Sequence, residues 1–232
     1  MGRTTQTGMV VTMSSTQATG REGLTSKGQA TRERIVSAAA DLIFDHGVAA
    51  VSMLDVRRAA KVSGSQLSHY FGDKQSLIRA VIASQAEAVI QAHQMPELGQ
   101  LDSFAALDRW AQLNIQRLEQ RDCQGGCNYG SLAGELVECD DSLRADLAAG
   151  FDRWEQLFRH GLTLMCDRGD LRPDADPEQL TYALMAALQG GMLLAQTARD
   201  TAPLKAALSS VLEYLHCYAP STPPRLSAPT AG

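Results

Sequence analysis

Apolar residues in this chain return every three or four positions from about residue 29 to residue 218, and that spacing commits it to helices. Ile35, Ala38, Ala39, Leu42 and Ile43 share one face of a first helix over about 29–46, with Arg32 and Glu33 in its first turn and Gly47 as its stop. Ser52 and Ser63 then stand as N-caps for two short segments, one carrying Met53, Val56 and Ala60, the other Leu67, Tyr70 and Phe71. A tight turn at Lys61-Val62 separates them. Asp73 opens a longer helix through Leu77, Ile78, Val81, Ile82 and Val89 that fades before Pro96. No stretch alternates with the two-residue period of a strand, so the predicted fold class is all-α, with about nine helices.

The remaining helices follow the same logic. After a loop over 94–100, the pattern predicts helices over about 102–120, 128–138 and from Asp140-Asp141 to Gly169, the last traced by Leu143, Leu147, Phe151, Trp154, Phe158, Leu162 and Met165. Asp140-Asp141 is read as its N-terminal cap. Pro177 sits in the first turn of a helix running to about 198. Its apolar residues fall on two faces, Leu180, Leu184, Leu188 and Ala195 on one and Tyr182, Ala186, Gln189 and Leu193 on the other, so it needs neighbours on two sides. Gly190-Gly191 in its middle costs roughly 1 kcal/mol per residue against Ala, which predicts close approach by another backbone. A last helix over about 201–218 carries Leu204, Leu208, Val211, Leu215 and Tyr218.

The 232 residues are 44% apolar and 20% charged, enough to bury a core. Net charge is −5 overall, but residues 1–80 sum to +4 and residues 81–232 to −9. A basic head on an acidic body points to a polyanion that meets one end only. No run of 18 apolar residues exists, so neither a membrane span nor a membrane partner is expected, and a cytoplasmic location is. Residues 1–27, rich in Thr, Ser, Gly and Gln, are expected to form a disordered arm whose Arg21 and Lys27 reach toward a groove or phosphates; residues 219–232, with four of the eight prolines, form a flexible tail. Between them, 28–75 is the expected head and 76–218 the body.

The head reads as a helix-turn-helix, whose second short helix enters the major groove of double-stranded DNA. The run Thr31-Arg32-Glu33-Arg34-Ile35, then Ala38-Ala39-Ala40, His46-Gly47, Ser52, Val56, Ala59-Ala60, Val62-Ser63 and above all His69-Tyr70-Phe71-Gly72-Asp73-Lys74 with Leu77 resembles the DNA-binding domain of the TetR family of transcriptional regulators. The resemblance implies phosphate contacts at Ser52, Tyr70 and Lys74 and a reading face at Ser65, Gln66, Ser68 and His69. Gln66 is the expected base reader, because its amide pairs with adenine in a bidentate way. Arg57 and Arg58 are further backbone-contact candidates. Ser68 stands where an aromatic is usual, and Gly64-Ser65 replaces the more usual Lys-Gly, so the operator is expected to be unusual.

In the body, Gly126-Cys127-Asn128-Tyr129-Gly130-Ser131-Leu132-Ala133 with Glu135-Leu136 is similar to the sixth helix of one large TetR subgroup, as is Gln189-Gly190-Gly191. The resemblance implies a repressor released by a small-molecule effector, and a homodimer joined by its last two helices that sets two reading helices about 34–36 Å apart on a palindromic or pseudo-palindromic operator. Trp110, Asn114, Cys127, Phe151, Trp154, Phe158, Gln189 and Met192 are the candidate effector-binding residues, and each also has an ordinary reading as core. Cys123 and Cys127 form a C-x3-C with no second pair or His at finger spacing, so no metal and no cofactor is expected. Cys127, at a helix start, is the candidate for a thiol switch, a second reading. His93 and His160 look isolated and form no triad, leaving a helical enzyme as a remote third reading and a non-enzyme as the expectation.

Overall fold

A computed structural model describes residues 24–220, and among them the chain is all-helical: nine α-helices, one short 3-10 turn and no strand. The order is α1 (Ser26–His46), α2 (Met53–Ala59), α3 (Gly64–Tyr70), α4 (Lys74–His93), the 3-10 turn Pro96–Leu98, α5 (Phe104–Glu119), α6 (Asn128–Leu136), α7 (Asp141–Arg168), α8 (Pro177–Ala198) and α9 (Ala202–His216).

Local chemistry sets most of these ends. At α2, α3 and α4 a reciprocal cap closes the first turn: Ser52 with Asp55, Ser63 with Gln66 and Asp73 with Ser76 each exchange side-chain and backbone bonds. Helices of seven residues are too short to persist alone, so α2 and α3 depend on these caps and on burying Val56 and Leu67. Asp140 Oδ1 accepts from Ser142 N–H and Leu143 N–H at 2.8 and 3.0 Å, the expected cap of α7. The start of α1 differs from expectation. Thr25 Oγ1 accepts from Gly28 N–H at 3.2 Å, which draws Ser26 and Lys27 into the helix. The expected arm therefore loses Lys27 to α1, while Arg21 and residues 221–232 of the expected tail lie outside the described residues.

Two apolar cores fill the described residues, and one of them crosses residue 75. One joins α1, α2, α3 and most of α4 to Tyr129, Leu132 and Leu136 of α6 and to Leu143 and Leu147 of α7. The other joins α5, the later turns of α7, α8 and α9. The two long helices α4 and α7 pack on each other and run through both. Gly150 of α7 makes room here: a Cβ there would sit 3.2 Å from Ala86 Cβ of α4 and collide with the hydroxyl of Tyr129 of α6, which donates to Leu147 C=O at 2.8 Å.

The paired glycines of α8 divide their roles. A Cβ at Gly191 would lie 3.0 Å from Leu204 Cα, so α9 is the close neighbour that the sequence requires there. Gly190 meets nothing within 4 Å of its own chain. It lies on the second face of α8, where Tyr182 and Leu193 stay 51% and 63% exposed.

Candidate functional site

Residue types along α3 separate cleanly by face. Leu67 is buried and Phe71, its C-cap, is 3% exposed, while Ser65, Gln66, Ser68 and His69 are exposed. All four predicted readers thus share one solvent-facing surface, with Tyr70 half-buried at its edge and in edge-on contact with the His69 ring at 5.0 Å. The frame behind α3 is pinned by cations. Arg34 Nε donates to Ala60 C=O at 3.0 Å, tying α1 to the end of α2, and the Arg32 guanidinium lies 5.3 Å from the Phe71 ring.

Three of the named side chains are already engaged. Gln66 Oε1 accepts from Ser63 N–H at 2.9 Å, so the carbonyl half of its amide closes the α3 cap and leaves Nε2 as the outward donor. Bidentate pairing with adenine needs both halves, so it requires that the cap open. Ser52 Oγ accepts from Asp55 N–H at 3.2 Å. Asp55 and Asp73 both have pKa values below the ordinary carboxylate range, because Ser52 and Ser76 respectively donate to them. Lys74 Nζ donates to Val48 C=O at 2.7 Å. Ser52 and Lys74 border the same small indentation, together with Val51 and Met53, so these two of the three predicted phosphate contacts are neighbours in space.

That lysine bond is half of a larger clasp. Val48 N–H donates to Glu135 Oε2 of α6 at 2.7 Å, and Val48 C=O accepts from Lys74 of α4. The peptide that joins α1 to α2 is therefore held by the body on one side and by the head on the other. Glu135 lies 87 residues from Val48, and nothing local in the sequence announces the pair.

Behind the head the effector candidates fall into two groups. Trp110, Trp154 and Phe158 are buried together: the Trp110 and Phe158 rings meet edge-on at 5.0 Å, and Phe151 stacks on Trp154 at 6.1 Å. Cys127 and Gln189 meet elsewhere, where Gln189 Nε2 approaches Cys127 Sγ at 3.5 Å and Gly130 N–H donates to the same sulfur at 3.3 Å. Met192 is buried in the α5–α9 core, and Asn114 Nδ2 donates to Trp110 C=O one turn back at 2.8 Å.

His93, isolated in the sequence, sits at the centre of the first group. Its Nδ1–H donates to Val89 C=O at 2.8 Å, which fixes Nε2 as a bare acceptor. Both indoles use it: Trp110 Nε1–H at 2.9 Å and Trp154 Nε1–H at 3.1 Å. Burial pushes the pKa of this imidazole down to about 4, with Arg117 adding to the effect. A signal was available. Ala86, Ile90 and His93 continue the buried stripe of α4, and two buried tryptophans each bring a donor that needs an acceptor.

Among the described residues no group of three or more His, Cys, Asp or Glu could hold a metal ion, and no helix is long and apolar enough to cross a membrane.

Residues 35–81 match the family model described as bacterial regulatory proteins, tetR family, and residues 104–211 match that of the tetracyclin repressor-like C-terminal domain. The chain is 25% identical over 192 residues to the HTH-type transcriptional repressor DhaR of Mycobacterium sp. (strain GP1), covering 79% of this chain and 91% of that protein. It is 24% identical over 177 residues to the transcriptional regulator AcuR of Cereibacter sphaeroides, covering 74% and 79%. Among solved structures, a TetR transcriptional regulator from Chloroflexus aurantiacus superposes with a TM-score of 0.73 at 25% identity over 84% of this chain and 98% of that one. The reduced form of E. coli NemR does so with 0.73 at 21% identity over 83% and 100%.

Proposed function

We propose that this chain, which belongs to the TetR family of transcriptional regulators, is a homodimeric repressor that leaves its operator when a small apolar or aromatic molecule enters the helical body. The observation that carries the DNA-binding half is the exposed α3 face of Ser65, Gln66, Ser68 and His69, held on a frame whose surroundings carry Arg57, Arg58, Lys61 and Lys74. Phosphates fix the register through Ser52, Tyr70 and Lys74, and α3 reads base edges. The acidic body is repelled by the duplex, so the head docks alone, in the cytoplasm, on double-stranded DNA.

The second face of α8 supports the homodimer. Tyr182, Gly190 and Leu193, with Leu194 nearby and Tyr214 on α9, form an apolar surface that this chain leaves uncovered. A symmetric partner covers it with the same surface, which is the arrangement a palindromic operator requires. The aromatic set around His93 supports the effector half, since a ligand there must compete for the two indole donors and act on α4, the helix that enters the head.

The test is a pair of substitutions. Lys74→Ala should weaken binding to every sequence and lower the salt slope by about one per subunit, whereas Gln66→Ala should change which sequences are preferred. Equal effects of both on all sequences contradict the assigned roles.

A second reading makes Cys127 a thiol switch. It rests on the sulfur's place as the cap of α6, where it accepts from Gly130 N–H at 3.3 Å. Peroxide should then release DNA from the native chain, and an unchanged response in Cys127→Ser rules this reading out.

A further inference from the structure

Between the end of α4, the loop that follows the 3-10 turn and the middle of α7, the chain forms a cleft of about 540 Å³, a size that suits a small molecule. Its floor is apolar: Ile90 and Leu101 are buried, Leu157 is half-buried, and His93 of the aromatic set borders it. Its rim is polar and exposed, with Gln94 at the end of α4, Gln100 on the loop, and Arg153, Gln156 and His160 on α7. Among the described residues no carboxylate lines it, in a body whose net charge is −9. The rim also keeps donors to spare. Arg153 meets Glu87 through Nη2 alone, at 3.0 Å, in a half-exposed ion pair of the weak kind. Gln100 Oε1 accepts from His160 Nε2 at 3.2 Å, which leaves the Gln100 amide nitrogen as a donor. The loop is held in place under strain. Leu101 sits at φ 56°, and a Cβ on Gly161 of α7 would lie 2.5 Å from the carbonyl oxygens of Gln100 and Leu101, so the loop lies directly on α7. Such strain persists only where the surroundings impose it, and it clusters at ligand sites.

We infer that this cleft takes an anionic effector, a small carboxylic acid on a short apolar tail. The tail lies over Ile90, Leu101 and Leu157, where its burial drives binding. The carboxylate meets Arg153 and the Gln100 amide, because a guanidinium presents paired donors that match two carboxylate oxygens. It sits on the α7 side, since the carbonyl end of α4 repels an anion. An amine finds the opposite conditions, a guanidinium at the rim and no carboxylate to meet it. The site has a route to the head. Ile90 and His93 belong to the last turn of α4 and Gln94 caps it, while Leu77 and Ile78 near the start of the same helix belong to the head core. A ligand wedged between this last turn and α7 shifts a helix that head and body share. The inference names a chemical class for the effector reading above, and its effect on DNA rests on that reading; binding to the cleft does not.

Hexanoate and hexylamine, alike in tail and opposite in charge, serve as probes of the full chain by calorimetry. Hexanoate should bind and hexylamine should not. Arg153→Gln should weaken hexanoate about tenfold, the worth of one hydrogen bond to a charged group. Glu87→Gln, which releases Arg153 from its partner, should strengthen it by up to about fivefold, the worth of an exposed ion pair. Thermal melts confirm that both variants fold. Failure of hexanoate to bind at millimolar concentration, indifference to both substitutions, or equal binding of hexylamine overturns the site. In mobility shifts, saturating hexanoate should reduce operator affinity in the native chain, and the same concentration should do so less in Arg153→Gln. Hexanoate binding with unchanged operator affinity overturns the effector role. A chain that binds hexanoate but no DNA retains the site and contradicts the repressor reading instead.

Discussion

Val48 and His93 each tie distant parts of the chain to one another by specific polar bonds. The grip on Val48 gives Lys74, the proposed phosphate contact, a second duty as a brace for the α1–α2 joint. Lys74→Ala should therefore lose more DNA affinity than an exposed lysine does, and Glu135→Gln, which keeps a weaker acceptor for Val48 N–H, should lose less; titrations against one operator at two salt concentrations check the order. His93 makes a prediction in pH. Above about pH 6.5 the ring is neutral in folded and unfolded chains alike. Between 6.5 and about 4 the unfolded chain takes up a proton that the folded chain refuses, so stability falls as pH falls, by up to about 3 kcal/mol for this group. Carboxylates with lowered pKa values, such as Asp55, Asp73 and Asp140, lose their contribution only at lower pH. His93→Leu should flatten the melting temperature between pH 6.5 and 4 and, by orphaning two buried indole donors, lower it at neutral pH by the equivalent of about 2–4 kcal/mol. An unchanged pH dependence in that variant contradicts the assignment.

Elements in this chain begin where the sequence says and pack where it does not say. Ser52, Ser63, Asp73 and Asp140 cap their helices with partners two or three residues away, so both halves of each signal lie in one short window. Thr25 is the same device, but the polar run before it masked the start of α1. The clasp on Val48 and the indole pair on His93 join residues 17 to 87 positions apart, beyond any periodic signal. For the same reason the predicted readers of α3 could be placed on one face from spacing alone, while the engagement of Gln66 in its own cap needed the fold. Helix packing gives a prediction of its own. Gly150→Ala forces a methyl onto the Tyr129 hydroxyl and should cost about 1–3 kcal/mol in chemical denaturation, with the head and body both loosened because α7 serves both cores.

Taken as a whole, the molecule is a basic helix-turn-helix head fused to an acidic helical body through α4, α6 and α7, with an apolar face of α8 uncovered among the described residues. That face is exposed in the single chain at Tyr182 and Leu193, which the second apolar stripe of α8 already required. Leu193→Asp should convert a dimer into a monomer in sedimentation and weaken operator binding by more than tenfold, since each monomer then holds one half-site. The central claim is that the α3 face reads DNA sequence. It is tested most directly by mobility shift of the native chain on DNA flanking its own coding sequence, across a salt series and against unrelated DNA of equal length. A sequence-reading α3 face gives a sequence-preferring complex at moderate salt with two chains per site; binding that shows no preference, or that vanishes equally for both DNAs as salt rises, contradicts it.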